Sequence, residues 1–325
     1  MRALVTGGAG FIGSHLVEGL LHSGYDVEVI DNLSTGARHN LAHLEADGRL
    51  QVTIDSILNE SLMDRTIGDA DLVFHLAAAV GVKWVLEHPL SSLETNLRGT
   101  DIVLAAADRH NRPVLVASTS EVYGKNDSGP LGEDDDRILG SSMVTRWLYA
   151  TAKAADEALA LAYWHERELP TMILRFFNTI GPRQTGRYGM VVPRFIGQAL
   201  RNEPITVYGD GHQTRCFTYV GDVVRSVIAL AECKNAWGEV FNVGREDEIS
   251  IQDLALRVTN LTGSRSQIVY IPYDEAYQQG FEDMRRRVPD VTKLRRYVGF
   301  VPETDLDEAL RRIIAVHPAA PARAL

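Results

Sequence analysis

The chain has 325 residues, of which 45% are hydrophobic and 23% charged, and a formal net charge of -10 at pH 7. That length allows two domains or one large one with a sizeable core. The acidic balance excludes a nucleic-acid-binding surface, which needs basic charge to meet phosphates, but leaves room for a phosphorylated metabolite held by a few placed arginines. No apolar run reaches the roughly 20 residues that cross a membrane. The two cysteines, Cys216 and Cys233, lack metal-ligand spacing, so a reduced, cytoplasmic setting is expected. The start, Met1-Arg2-Ala3-Leu4-Val5-Thr6, runs straight into a glycine loop and reads as lacking a signal peptide, and the Ala/Pro-biased end reads as a frayed tail.

In chain order, the short apolar runs 3–5, 27–30, 52–54, 72–76, 114–117 and 172–174 have strand length. Longer stretches of helical periodicity separate most of them, such as 12–23 and 95–109. That alternation predicts an α/β fold with a doubly wound parallel Rossmann sheet and a smaller C-terminal substrate-binding domain. The texture changes after Phe176-Phe177-Asn178, so residues 1–177 are assigned to the nucleotide-binding domain and 178–325 mainly to the second. The segments 217–231 and 240–243 are expected to return to the first.

Gly7-Gly8-Ala9-Gly10-Phe11-Ile12-Gly13 lies between the first strand and the first helix. Glycines there permit a tight turn and let backbone N–H groups and a helix N-terminus approach a pyrophosphate. Asp31 ends the second strand about twenty residues on, where a carboxylate grips the adenosine ribose hydroxyls. It would repel a 2′-phosphate, which favours NAD over NADP; the following Asn32-Leu33-Ser34-Thr35-Gly36 is backed only by Arg38 as a cation.

The strand 114–117 runs into Ser118-Thr119-Ser120-Glu121-Val122-Tyr123-Gly124, placing hydroxyls and a carboxylate where open α/β sheets keep their chemistry. Downstream, Tyr149 and Lys153 stand one helical turn apart on one face. An adjacent ammonium favours the tyrosinate, so Lys153 is expected to lower the Tyr149 pKa toward neutrality. A solvated Tyr/Lys pair is the bland alternative. His39 and His43, spaced i, i+4, read as a surface helix, and no metal site is expected.

These pieces together resemble the extended short-chain dehydrogenase/reductase family of nucleotide-sugar enzymes. Its landmarks here are Gly7–Gly13, Asp31, His75-Leu76-Ala77-Ala78, 96–100, Ser118–Gly124, Tyr149/Lys153, 175–178, 205–215 and Asp222. The resemblance implies NAD as cofactor, with Gly7, Gly10, Phe11, Ile12, Gly13, Asp31, Asn32, Ser34, Thr35, Gly36, Asp55, Ser56, Leu76, Ala77, Ala78, Tyr149 and Lys153 around it. It also implies that Tyr149 takes the sugar O4 proton while Thr119 hydrogen-bonds the same oxygen. Asn178, Tyr208, Arg215 and Arg287 would hold a nucleotide diphosphate, and Val191 and Arg194 would line the substrate site. Arg287 is preferred over Arg286 because Arg287-Val288-Pro289-Asp290 matches the family's late Arg-x-Pro pattern.

The resulting 4-keto sugar has three fates: reduction from the other face (4-epimerase), loss of water (4,6-dehydratase), or loss of carbon dioxide when C6 is a carboxylate. Ser-Thr-Ser-Glu-Val-Tyr-Gly looks most like the UDP-glucuronate decarboxylases, with UDP-xylose or a UDP-4-keto-pentose as product. The stretches 146–149, 211–217 and 280–287 are similar to bacterial enzymes of that type. Glu121, with Arg287, is the expected catalytic addition. A carboxylate facing a substrate carboxylate would repel it and so fit decarboxylation; alternatively Glu121 only bonds local backbone. The loop Gln184–Met190 departs from that pattern, and either Arg187 or Arg194 is a candidate for a uronate carboxylate. A 4-epimerase is the main alternative, and a catalytically silent NAD-binding regulator a remote one. The helix 150–164 is apolar on most of its circumference and needs cover on two sides, which predicts a homodimer.

Overall fold

The computed structural model describes residues 1–186, 189–276 and 284–319. Seven parallel strands form the central sheet. β1 (Arg2–Thr6), β2 (Asp26–Asp31), β3 (Leu50–Ile54), β4 (Leu72–His75), β5 (Val114–Thr119) and β6 (Thr171–Phe176) come first. Among the described residues, three short ribbons use β7 (Thr179–Ile180), β8 (Ile205–Tyr208), β9 (Thr214–Cys216), β10 (Thr218–Tyr219), β12 (Glu248–Ser250) and β13 (Ile268–Ile271). β11 (Val240–Val243) returns to the main sheet, whose order is β11-β6-β5-β4-β1-β2-β3. The order reverses beside β1, where such sheets open a crevice at their carboxyl edge. The doubly wound Rossmann-type fold expected from the strand–helix alternation is the fold observed.

The helices are α1 (Phe11–His22), α2 (Glu60–Asp69), α3 (Val82–Glu87), α4 (Pro89–Leu93), α5 (Gly99–His110), α6 (Leu148–Arg167), α7 (Val191–Leu200), α8 (Val220–Glu232), α9 (Ile251–Thr262), α10 (Tyr273–Ala276), α11 (Thr292–Val298) and α12 (Leu306–Val316). The central strands are buried on both faces, which explains their runs of consecutive apolar residues. One face packs with α1 and α8, bringing Leu16, Leu20, Val223 and Val227 onto Val5, Val29 and Leu174. The other packs with α2, α5 and α6 through Met63, Ile67, Val103, Ala107 and Ala160. A separate core joins Phe195, Ile196, Val207, Leu254, Val258 and Leu310 from the second half of the chain.

Two local features position the site. Gly7 adopts φ +74°, a left-handed conformation that disfavours side chains, and a Cβ on Gly13 would lie 2.1 Å from the Gly7 carbonyl oxygen. Helix α1 therefore starts hard against β1. Between α4 and α5 the backbone passes through a π-helical segment, Glu94–Arg98, where the helical reading from residue 95 had predicted regular α-helix. The wider turn lets Asn96 reach out, accepting from Ala79 N–H at 2.7 Å and donating to Ala79 O at 3.3 Å. His39 and His43 fall in two separate 3₁₀ turns, not on one helix, and His43 pairs with Glu18 at 3.1 Å. The i, i+4 reading of these histidines is thereby corrected.

Candidate active site

The ends of β1, β2, β4, β5 and β6 and the loop after β3 open into one cavity of about 480 Å³, closed on the far side by α7, β8, the residues before β9 and Arg287. The half against the glycine loop contains Gly7, Gly10, Phe11, Ile12, Gly13, Asp31, Asn32, Ser34, Thr35, Asp55, Leu76, Ala77 and Ala78. Gly36, Ser56 and Lys153 are off the wall. Gly36 instead packs on the glycine loop, where a Cβ would sit 2.9 Å from the Ala9 carbonyl carbon. Ser56 turns back to accept from Leu58 N–H.

Asp31 accepts from the N–H groups of Ala9 at 2.9 Å and Leu33 at 2.7 Å. Burial raises its pKa, against the lowering pull of those backbone donors. The carboxylate thus locks the glycine loop to β2 while facing the cavity. A turn that a Cβ would obstruct, an uncapped helix N-terminus at Gly10 and a carboxylate at the second strand end fit a dinucleotide with an unphosphorylated adenosine ribose.

The reactive half collects Thr119, Ser120, Glu121, Arg146, Tyr149 and Arg287. Thr119 caps the short turn after β5, its hydroxyl accepting from Glu121 N–H at 3.2 Å. Glu121 is not occupied with backbone. Both its oxygens are gripped by the Arg146 guanidinium, Nη2 lying 3.0 Å from Oε1. Arg287 Nη1 donates to the same Oε1 at 3.1 Å and to Ser120 Oγ at 3.2 Å. Burial alone would raise the Glu121 pKa; the two guanidinium charges outweigh it and hold the carboxylate far below its usual range. Two arginines facing one acid alter the expectation that Glu121 would repel a substrate carboxylate, because its charge is already engaged.

Tyr149 departs from expectation. Burial, then Glu121 and Asp156, push its phenol up, whereas Lys153 was expected to bring it down. Lys153 is spent locally: its Nζ donates to Asp156 Oδ2 at 2.7 Å, both side chains being sealed from solvent. Behind this pair lies His75, between Thr6 Oγ1 at 2.8 Å and Thr100 Oγ1 at 3.1 Å, with Thr6 in turn accepting from Ala77 N–H. Burial and the Lys153 charge pull the His75 pKa down to about 3, so the imidazole is neutral.

Across the cavity, Asn178, Val191, Arg194, Tyr208 and Arg215 all line the wall. Arg194 stacks over the Tyr208 ring at 3.8 Å and donates to Thr206 O. Asn178 donates to Cys216 O, and Arg215 to Thr214 O. Arg285 and Arg286 form exposed pairs with Asp210 and Glu248, so Arg287 is the member of that run that enters the cavity. Arg187 and residues 280–283 lie outside the described residues. Sequence reasoning passed over Arg146, Ser120 and Gln213 as individual wall residues. Arg146 had a usable signal: it sits three residues before Tyr149, one turn from it.

Comparison with known proteins places these features in context. The pattern of the NAD dependent epimerase/dehydratase family matches residues 3–244. A UDP-N-acetyl-alpha-D-glucosaminuronate decarboxylase of Bacillus cytotoxicus is 45% identical over 96% of this chain and 96% of its own. UDP-glucuronic acid decarboxylase 1 of Danio rerio is 34% identical over 96% of this chain and 72% of its own. Among solved structures, UDP-glucuronic acid 4-epimerase from Bacillus cereus, in complex with UDP-glucuronic acid and NAD, superposes with a TM-score of 0.87 at 33% identity, covering 96% of this chain and 98% of that one.

Proposed function

We propose, for a chain that belongs to the NAD dependent epimerase/dehydratase family, that it oxidises C4 of a UDP-uronate and decarboxylates it, with UDP-glucuronate giving UDP-xylose or the UDP-4-keto-pentose. The observation carrying this reading is the cluster Glu121–Arg146–Arg287 in the same wall as Thr119 and Tyr149. Thr119 orients the sugar O4 and Tyr149 accepts its proton. Bound NAD would take the C4 hydride and, where UDP-xylose is the product, return it. The C4 ketone makes C6 the carboxylate of a β-keto acid. Its C5–C6 bond breaks to release carbon dioxide, the electron pair moves into an enolate on O4, and a proton then adds at C5. Arg287 would meet the negative charge at this centre, and a charged, planar donor suits both a carboxylate and an enolate.

The relatives support the decarboxylase class and widen the substrate question. One acts on a uronate bearing a 2-acetamido group, the others on UDP-glucuronic acid. The 4-epimerase remains the second reading, supported by the similarity to the UDP-glucuronic acid 4-epimerase structure. Incubation with NAD and either UDP-glucuronate or its 2-acetamido analogue, followed by mass spectrometry, separates these readings. Loss of carbon dioxide supports decarboxylation, and the substrate that turns over faster identifies the C2 substituent. An unchanged mass with inverted C4 would overturn the reading.

The nucleotide is proposed to lie against Arg194, Tyr208 and Arg215, on the side of the second core. A homodimer is proposed as well. On α6, Thr151, Ala155, Ala158 and Ala162 are exposed along one stripe, beside the π-helical segment that carries the exposed Leu97. A monomer in sedimentation at working concentration would refute it.

A further inference from the structure

Arg287 reaches the reactive half from a segment near the end of the chain, whereas Glu121 and Tyr149 belong to β5's exit and to α6. Its Nη1 donates there to a carboxylate on another element, Glu121, and to the neighbouring Ser120 hydroxyl. That carboxylate would swing if Arg287 alone held it, because a single hydrogen bond to one oxygen leaves the plane free to rotate. Arg146 removes that freedom. Its planar fork spans both Glu121 oxygens, a geometry that an ammonium cannot reproduce. Arg146 itself is buried, at 6% exposure, in the 3₁₀ turn Thr145–Trp147 that leads directly into α6. Tyr149 lies three residues further along the chain.

From this geometry we infer that Arg146 is a positioning residue for the decarboxylation step, acting through Glu121 to aim Arg287 at the reacting centre. The inference rests on the decarboxylase reading above. It divides labour between two halves of the wall. Thr119 and Tyr149 serve the oxidation of C4, in which the O4 proton passes to Tyr149 as the C4 hydride leaves. The Arg146–Glu121–Arg287 series serves the later cleavage, as the C5–C6 electron pair passes into the enolate. The depressed proton affinity of Glu121 agrees with a carboxylate that stays ionised to hold both arginines.

The test uses Arg146→Lys, Arg146→Gln, Glu121→Gln and the double variant Arg146→Gln/Glu121→Gln, in the full chain with NAD. Carbon dioxide release and the transient NADH absorbance are followed in single turnovers with the uronate that the wild type uses. Arg146→Lys keeps the charge and loses the fork, so it should lose about tenfold or more in carbon dioxide release. It should still form NADH, which then accumulates with the 4-keto-uronate. The double variant should be no slower than Glu121→Gln alone, because both changes remove one device. NADH formation on the same preparation certifies that each variant is folded. Losses that multiply, or Arg146→Lys behaving as wild type, would overturn the inference. A wild-type enzyme releasing no carbon dioxide from either uronate would instead overturn the proposed function.

Discussion

Lys153 Nζ donates to Asp156 Oδ2 at 2.7 Å, and the two side chains are 2% and 1% exposed. A lysine one turn from Tyr149 is thus matched by a carboxylate one turn further along α6. Removing one member strands a buried charge, so Asp156→Ala should cost about 3–5 kcal/mol of folding stability. Urea unfolding measures this, and a loss below about 1 kcal/mol would mean that the pair is replaced by water.

The same pair bears on Tyr149. Burial, Glu121 and Asp156 raise the phenol's pKa, so these groups oppose the tyrosinate; the positive charge of a bound oxidised nicotinamide would favour it. Only the tyrosinate accepts a proton, so NADH formation should climb with pH from about 6 to about 9. Tyr149→Phe should abolish that rise and slow NADH formation by about 10²–10⁴-fold without loss of fold. A flat wild-type profile would argue against Tyr149 as base.

His75 is held near a pKa of about 3, chiefly by burial. An unfolded histidine titrates near ~6.5, so between about pH 6.5 and about pH 3 the unfolded chain binds a proton that the native protein refuses. Stability should therefore fall as pH drops through that window, by about 1.4 kcal/mol per pH unit from this one group. His75→Gln should flatten that slope in denaturant titrations between about pH 4.5 and about pH 6. An unaltered slope would place the proton elsewhere.

Glu121 slopes the same way, at lower pH. Its native pKa is depressed below the unfolded value of about 4.3, so its contribution is complete above that pH and is lost as pH falls toward the native value. Glu121→Gln should destabilise the protein at neutral pH and lose less on acidification below about pH 4.3. Parallel stability curves for the two proteins would show that the arginines do not depend on its charge.

Asp31→Ser removes a negative charge at the ribose end while keeping an acceptor for the glycine loop. The NAD KM should rise, and the preference for NAD over NADP should shrink by about tenfold, in initial-rate measurements with both cofactors. An unchanged ratio would mean that another group reads the 2′ position.

The alternation of apolar strands with helical stretches determined the Rossmann-type sheet, because a strand buried on both faces needs a continuous apolar run such as Val114-Leu115-Val116-Ala117. Gly7–Gly13 and Asp31 were legible for a related reason: backbone conformation and close approach restrict which residues fit, so spacing alone carries the meaning. Thr119, Tyr149 and Lys153 were legible as residue types at a strand end and on a helix face. Only the tertiary structure decided what their charges do. Lys153 pairs with Asp156, and His75 lies behind them. Glu121 engages two arginines that stand 25 and 166 residues away in the chain. The physical reason is range. Local spacing sets backbone shape and helix faces, whereas a buried charge takes its pKa and orientation from groups that only folding brings within a few ångströms.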